Sequence, residues 1–166
     1  MKTVVCPGSF DPVTNGHVDI IQRASGLFDR VIVLVAYNAA KQSHFTVEER
    51  MAMLRKATGR LPNVEVDCDA GLLVDYLQRV DAHAIVKGLR AVSDFEYEFQ
   101  MALTNRKLLP GCDTIFFTTS GENMYLSSSI VRQVCSLGGD ISGFVPDCVR
   151  GEIVAKLRPQ QEQERG

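Results

Sequence analysis

The sequence predicts an α/β fold, a three-layer Rossmann-like sandwich with a five-stranded parallel sheet. Three features point to it. Five short β-prone segments alternate with helical ones, and right-handed crossovers then make a parallel sheet the natural packing. The second of these segments, Arg30–Ala36 (RVIVLVA), is an unbroken, largely β-branched apolar run, as a strand covered on both faces requires. The polar, glycine-bearing stretches come directly after strands, at the sheet edge where such folds bind ligands.

The elements follow in order. Thr3–Pro7 reads as the first strand, and Gly16–Phe28 as a helix with Val18, Ile21 and Ala24 or Ser25 on one face. After Arg30–Ala36, Thr46–Thr58 is a helix opened by the capping box Thr46-x-x-Glu49. Val64–Asp67 is a weaker strand and Leu72–Val80 a helix. Ala84–Lys87 is a short strand, and Ser93–Leu108 a helix with a second capping box, Ser93-x-x-Glu96. Asp113–Thr118 (DTIFFT) completes the sheet. Ser128–Ser136 is a helix stopped by Gly138-Gly139, and Asp147–Leu157 is the last helix. Residues 1–157 read as one domain, with no internal repeat or linker. The polar, Gln-rich stretch 158–166 (RPQQEQERG) is expected to be a flexible tail.

Composition narrows the function. The chain has 166 residues, 45% of them hydrophobic and 23% charged, and its mean hydropathy is −0.01, values of an ordinary globular protein. No apolar run approaches the roughly 18 residues of a membrane span, and the start lacks a cleavage-site pattern, so neither a membrane nor secretion is expected. A net charge of −2 with no basic stripe argues against a nucleic-acid partner. The five cysteines are odd in number and form no C-x-x-C, which argues against disulfides or structural zinc and favours a reducing cytoplasm.

The densest motif is Pro7-Gly8-Ser9-Phe10-Asp11-Pro12-Val13-Thr14-Asn15-Gly16-His17, with two glycines and two prolines in eleven residues. It is a constrained loop feeding a helix, and free amides at a helix start attract anions. His17 falls in the first turn of that helix, where an imidazole can donate to phosphate. Ser9 adds a hydroxyl. Lys41 lies in the loop after the second strand, as a solvated lysine or a mobile cation for phosphate. Lys87-Gly88-Leu89-Arg90 ends the fourth strand, and Arg90 has Asp94 as an alternative ion-pair partner. Ser127-Ser128-Ser129 precedes a helix, suiting either N-capping or phosphate. Taken alone, Leu73 reads as core and Glu98 as a structural or solvated acid.

Thr14-x-Gly16-His17 resembles the T/H-x-G-H signature of the nucleotidylyltransferase superfamily. The longer PGSFDPVTNGH string, with FTVEER (Phe45–Arg50), VKGLRAVSDFEYE (Val86–Glu98) and YLSSSIVRQV (Tyr125–Val134), resembles the bacterial phosphopantetheine adenylyltransferases. The motifs run in family order up to about Leu157. The resemblance implies AMP transfer from ATP to 4′-phosphopantetheine by direct in-line attack, without a covalent enzyme intermediate. It implies that His17 and Lys41 are catalytic and that Ser9, Lys41, Leu73 and Lys87 hold the acceptor. The ATP site it implies comprises Ser9, Phe10, His17, Gly88, Leu89, Arg90, Glu98, Asn123, Met124, Tyr125, Leu126, Ser127, Ser128 and Ser129, with Arg132 beside them. It further implies Mg²⁺ bound through ATP phosphates rather than by a protein metal site, a homohexamer and feedback inhibition by coenzyme A.

This chain departs from the family pattern at several positions. Lys87 replaces the usual Arg and loses bidentate recognition. Asn123 stands where Trp is frequent, Ser9 where Thr is common and Leu73 where Met is common. The rival readings are a nucleotidylyltransferase for nicotinamide mononucleotide or a polyol phosphate, and a non-catalytic ATP-binding module. A flavodoxin-like receiver is disfavoured because its clustered acids are missing.

Overall fold

The computed structural model describes residues 1–158, excepting the side chains of Val92 and Ser93. Its strands are β1 (Thr3–Gly8), β2 (Arg30–Ala36), β3 (Val64–Asp69), β4 (Ala84–Leu89) and β5 (Asp113–Thr118). All neighbouring strands pair in parallel, in the order β3-β2-β1-β4-β5. Its helices are α1 (Asn15–Ser25), α2 (Val47–Thr58), α3 (Leu73–Arg79), α4 (Val92–Leu108), α5 (Ser128–Ser136) and α6 (Asp147–Leu157). A single 3-10 turn, Gly121–Asn123, lies between β5 and α5. No helix among the described residues is long and apolar enough to cross a membrane.

The alternation of side chains across the strands puts buried apolar residues on both faces of the sheet. Val5, Ile32, Leu34 and Ile85 face one way and pack on Val74 and Leu77 of α3. Val33 and Val35 face the other way, against Ile21 of α1, Met53 and Leu54 of α2, Val131 of α5 and Ile153 of α6. The continuous apolar run of β2 is thus explained by burial on both faces. α4 packs on β5 and α3, and its Phe95, Tyr97, Phe99 and Leu103 remain exposed.

Element boundaries differ from expectation in instructive ways. α1 ends at Ser25, where Gly26 caps it, not at Phe28. β1, β3 and β4 each run one or two residues further than their apolar patterns, because ladder bonding continues after side-chain alternation ends. The capping box Thr46/Glu49 forms in both directions, at 3.1 and 2.8 Å. The box expected at Ser93 does not open α4: the helix starts at Val92 with Ala91 at the N-cap position, and the Ser93 side chain lies outside the described ones. Of the expected tail, Arg158 is tied down by donation from Nη2 to the Gly139 carbonyl at 3.1 Å, and 159–166 lie outside the described residues.

Ile153 is fully buried between α6, α2 and α5. Ile153→Ala should lower the unfolding free energy by about 2–5 kcal/mol, read from a urea midpoint shift at unchanged slope.

Candidate active site

The site begins with a fault in the sheet. β1 pairs with β2, and β4 with β5, over six register positions each, but β1 and β4 pair only at Val4–Ala84 and Val5–Ile85. Beyond those two pairs the central strands part. The chain winds outward from β1 on one side and returns to β4 on the other, so this is also the point at which strand order reverses. A cavity of about 570 Å³ fills the gap. Its floor comes from the strand ends (Cys6 to Ser9, Val86 to Gly88), and its sides from the starts of α1 and α5, the first turns of α4 and Thr119 after β5. Gly88 permits the close approach of β4 to α1, since a Cβ there would lie 3.0 Å from Ile20.

His17 is oriented by the helix that carries it. Thr14 is the N-cap of α1, and its Oγ1 accepts the His17 amide at 3.3 Å. The Thr14 amide in turn donates to His17 Nδ1 at 2.9 Å. The T-x-G-H string is therefore a capping box in which the imidazole takes the place usually held by Glu or Gln. With Nδ1 accepting, the proton of the neutral ring sits on Nε2. The Phe10 ring packs edge-on to the imidazole, with centroids 4.9 Å apart. Phe10 itself adopts φ 49°, a left-handed conformation that its burial holds in place. Burial first, then the charges of Lys87 and Arg90, push the His17 pKa down to about 4. At neutral pH the ring is uncharged and a hydrogen-bond donor.

Cations and acids face one another on the cavity wall. Lys87 Nζ lies 3.4 Å from Glu98 Oε1. Arg90 Nε donates to Asp94 at 3.1 Å and Nη1 to the Leu126 carbonyl at 2.7 Å, so Arg90 joins β4 to the turn before α5. Arg132 Nη1 donates to the Asp11 carbonyl at 2.5 Å, and Nη2 to Ser129 Oγ at 3.3 Å. Ser127 caps α5, and Ser128 donates to the Pro12 carbonyl at 2.7 Å. Two helix starts, a neutral imidazole donor and three cations therefore border one space, an arrangement suited to a polyphosphate. Cys6 also lines it, but burial raises its thiol to about 12, which removes it as a nucleophile.

Of the residues singled out from sequence, Ser9, Phe10, His17, Lys87, Gly88, Arg90, Glu98, Asn123, Leu126, Ser127, Ser128 and Ser129 line the cavity. Lys41, Leu73, Leu89, Met124 and Tyr125 do not. Lys41 is exposed in the β2–α2 loop, where its amide donates to the Asn38 carbonyl at 2.9 Å. Leu73, the first residue of α3, is partly buried and packs against the core. The Leu89 carbonyl accepts the Thr119 amide, and Met124 and Tyr125 are more than half exposed, Tyr125 lying against Phe144. Sequence reasoning gives Asp94 only as an ion-pair partner of Arg90 and omits Tyr97 and Thr119, which also line the cavity. Two signals for them were present. Asp94, Tyr97 and Glu98 share one helical face at i, i+3 and i+4, and Thr119 directly follows a strand.

The depressed His17 pKa has a consequence for stability. Between about 4 and 6.5 the unfolded chain binds a proton at His17 that the folded chain does not, so stability rises with pH across this window and falls as pH drops. The stability advantage of wild type over His17→Gln should therefore shrink as pH is lowered through it, in urea unfolding series. A pH-independent difference would show that the ring is not held neutral.

Comparison with known proteins agrees with this geometry. Residues 5–134 match the cytidylyltransferase-like family. A Dictyoglomus turgidum protein named phosphopantetheine adenylyltransferase is 53% identical over 158 residues, 95% of this chain and 99% of that one. One of the same name from Alkaliphilus metalliredigens is 54% identical over 149 residues, covering 90% of this chain and 95% of its own. A solved Vibrio parahaemolyticus chain assigned as a nicotinate-nucleotide adenylyltransferase superposes with a TM-score of 0.71 over 93% of each chain; at 18% identity, that likeness concerns the fold. The chain thus belongs to the cytidylyltransferase-like family and, within it, to the phosphopantetheine adenylyltransferases.

Proposed function

We propose that this chain transfers the adenylyl group of ATP to 4′-phosphopantetheine, giving dephospho-coenzyme A and pyrophosphate. The carrying observation is the cavity itself, in which a neutral imidazole, three cations and two helix starts border one space. The relatives named above support the choice of acceptor.

An acceptor phosphate oxygen attacks the α-phosphorus of ATP, a P–O bond forms, and the bond from the α-phosphorus to the bridging oxygen breaks as pyrophosphate leaves. The attacking group is already an anion, so no protein base or nucleophile is needed. Catalysis consists of alignment and charge stabilisation. His17 donates from Nε2 to the α-phosphate as charge builds there. Lys87, Ser9 and Lys41 hold the acceptor phosphate, with Lys41 approaching from its exposed loop. Arg90, Glu98, Arg132 and the Ser127–Ser129 turn hold the nucleotide. Lys87 and Arg90 are neutralised by Glu98 and Asp94 in the free cavity, and the phosphates compete for them when they enter.

Mg²⁺ is proposed to arrive on the nucleotide and to offset charge on its phosphates. The donor set fits this role, because Asp94 and Glu98 are each paired with a cation and the remaining oxygen donors are hydroxyls and carbonyls. Assembly as a homohexamer is part of the proposal; the outward apolar side chains of α4, Phe95, Phe99 and Leu103, support self-association. Feedback inhibition by coenzyme A and residence in the cytoplasm are proposed on the family resemblance.

The test is pyrophosphate release from ATP with 4′-phosphopantetheine, nicotinamide mononucleotide and a polyol phosphate as separate acceptors. Only the first should support turnover, whereas binding of ATP with no release from any acceptor would indicate a binding module. His17→Ala should lose about a hundredfold in kcat, the cost of ~3 kcal/mol for one transition-state donor, while ATP affinity stays within a few-fold. Lys41→Ala should harm 4′-phosphopantetheine use more than ATP binding, measured as separate KM and Kd values; equal losses for both substrates would remove Lys41 from the acceptor side.

A further inference from the structure

The mechanism leaves two buried charges unused. Asp11 is 7% exposed and Arg50 4%. Burying either costs free energy unless bonds replace the lost water, and both are heavily bonded. Asp11 Oδ1 accepts the Phe45 amide at 2.8 Å and Oδ2 the His44 amide at 3.0 Å. Oδ2 also lies 3.5 Å from His44 Nδ1 and 3.9 Å from Arg132 Nη1. Arg50 donates to the Ser9 carbonyl at 2.9 Å, to Ser43 Oγ at 3.1 Å and to the Thr46 carbonyl at 3.4 Å.

The amide bonds of Asp11 and two of the Arg50 bonds end on residues 43–46, the stem of the β2–α2 loop, while the third Arg50 bond reaches the Ser9 carbonyl. Lys41 lies two residues before that stem. Asp11 joins that stem directly to the loop that leads to His17, and Arg50 bridges it to Ser9 of the same loop. Residues 38–44 are exposed apart from this attachment, and Phe45 alone of the stem is deeply buried. We propose that Asp11, assisted by Arg50, is a positioning residue that acts through Lys41: it anchors the stem of the Lys41 loop to the cavity wall, and so sets the reach of that ammonium to the acceptor phosphate. Arg132, on the nucleotide side, is held by the Asp11 backbone carbonyl, which Asp11→Asn leaves in place, and lies 3.9 Å from the carboxylate. This inference rests on the adenylyl-transfer reading.

Asp11→Asn keeps the volume but offers one carbonyl to two amides. It should fold, with a modestly lower Tm. Its kcat/KM for 4′-phosphopantetheine should fall by about tenfold, while KM for ATP stays within about twofold. The decisive readout is a double-mutant cycle, because residues acting through a shared partner are non-additive. In a Lys41→Ala background, Asp11→Asn should cost less than about twofold further. Ser43→Ala, which removes the exposed hydroxyl bonded to Arg50, supplies a milder cycle on the same stem if Asp11→Asn does not fold. It should lower acceptor kcat/KM by about threefold, an effect again lost in the Lys41→Ala background. An unchanged acceptor kcat/KM, or the same factor in both backgrounds, would overturn the role of Asp11 while leaving the proposed reaction intact. Failure of wild type to release pyrophosphate would instead overturn the reaction.

Discussion

β1 and β4 stay hydrogen-bonded through only two residue pairs, and the candidate site is assembled in the gap that follows. A parallel strand must hand its chain to a crossover helix, and the two central strands hand theirs to opposite faces of the sheet. The crossovers diverge there, so no backbone fills the space between them. What borders it is the set of groups a strand–loop–helix junction exposes: terminal amides, a helix start and the first side chains of the next turn. The positions of His17, Lys87, Gly88, Arg90 and Thr119 all follow from that divergence.

Electrostatics within the gap have one organising feature, a histidine kept neutral among cations. Removing the imidazole from water and setting Lys87 and Arg90 near it act in the same direction. An uncharged donor with a defined tautomer gains most when negative charge grows in front of it, and it does not bind the ground-state phosphates as tightly as an imidazolium would. The lysine and the arginines give the gap a positive field, which the acids of α4 temper through the Lys87–Glu98 and Arg90–Asp94 pairs. The capping box at Thr14 gives the ring its orientation, because the helix that needs a cap and the ring that needs a partner satisfy each other, and Phe10 packs against its edge.

What could be read along the chain and what could not divides by the range of the interaction. The capping box at Thr46 and Glu49 was legible because its partners are three residues apart. The equally well-formed string at Ser93 was misleading, because the β4–α4 turn carries the helix start back to Val92 and no local rule encodes that turn. Leu73 looked like core by pattern, and from the first turn of α3 it packs, partly buried, against the core. Tyr97 shares a helical face with Asp94 and Glu98, but that spacing does not say what the face meets, and the placement of α4 over the sheet edge is what turns it to the cavity.

By itself, the sequence determined the strand–helix alternation, the doubly covered β2 and the motifs at the strand ends, because these depend on side-chain periodicity and contacts within a few residues. Tertiary structure alone decided that β4 lies beside β1, that Lys87 meets Glu98, that Arg90 reaches the Leu126 carbonyl and that Asp11 receives the amides of a distant loop. The side-chain pairings join residues from 11 to 36 positions apart, and the pairing of Val4 with Ala84 spans 80. Such partners meet only once the crossovers have ordered the strands, and strand order is a property of the whole sheet, which no single segment carries.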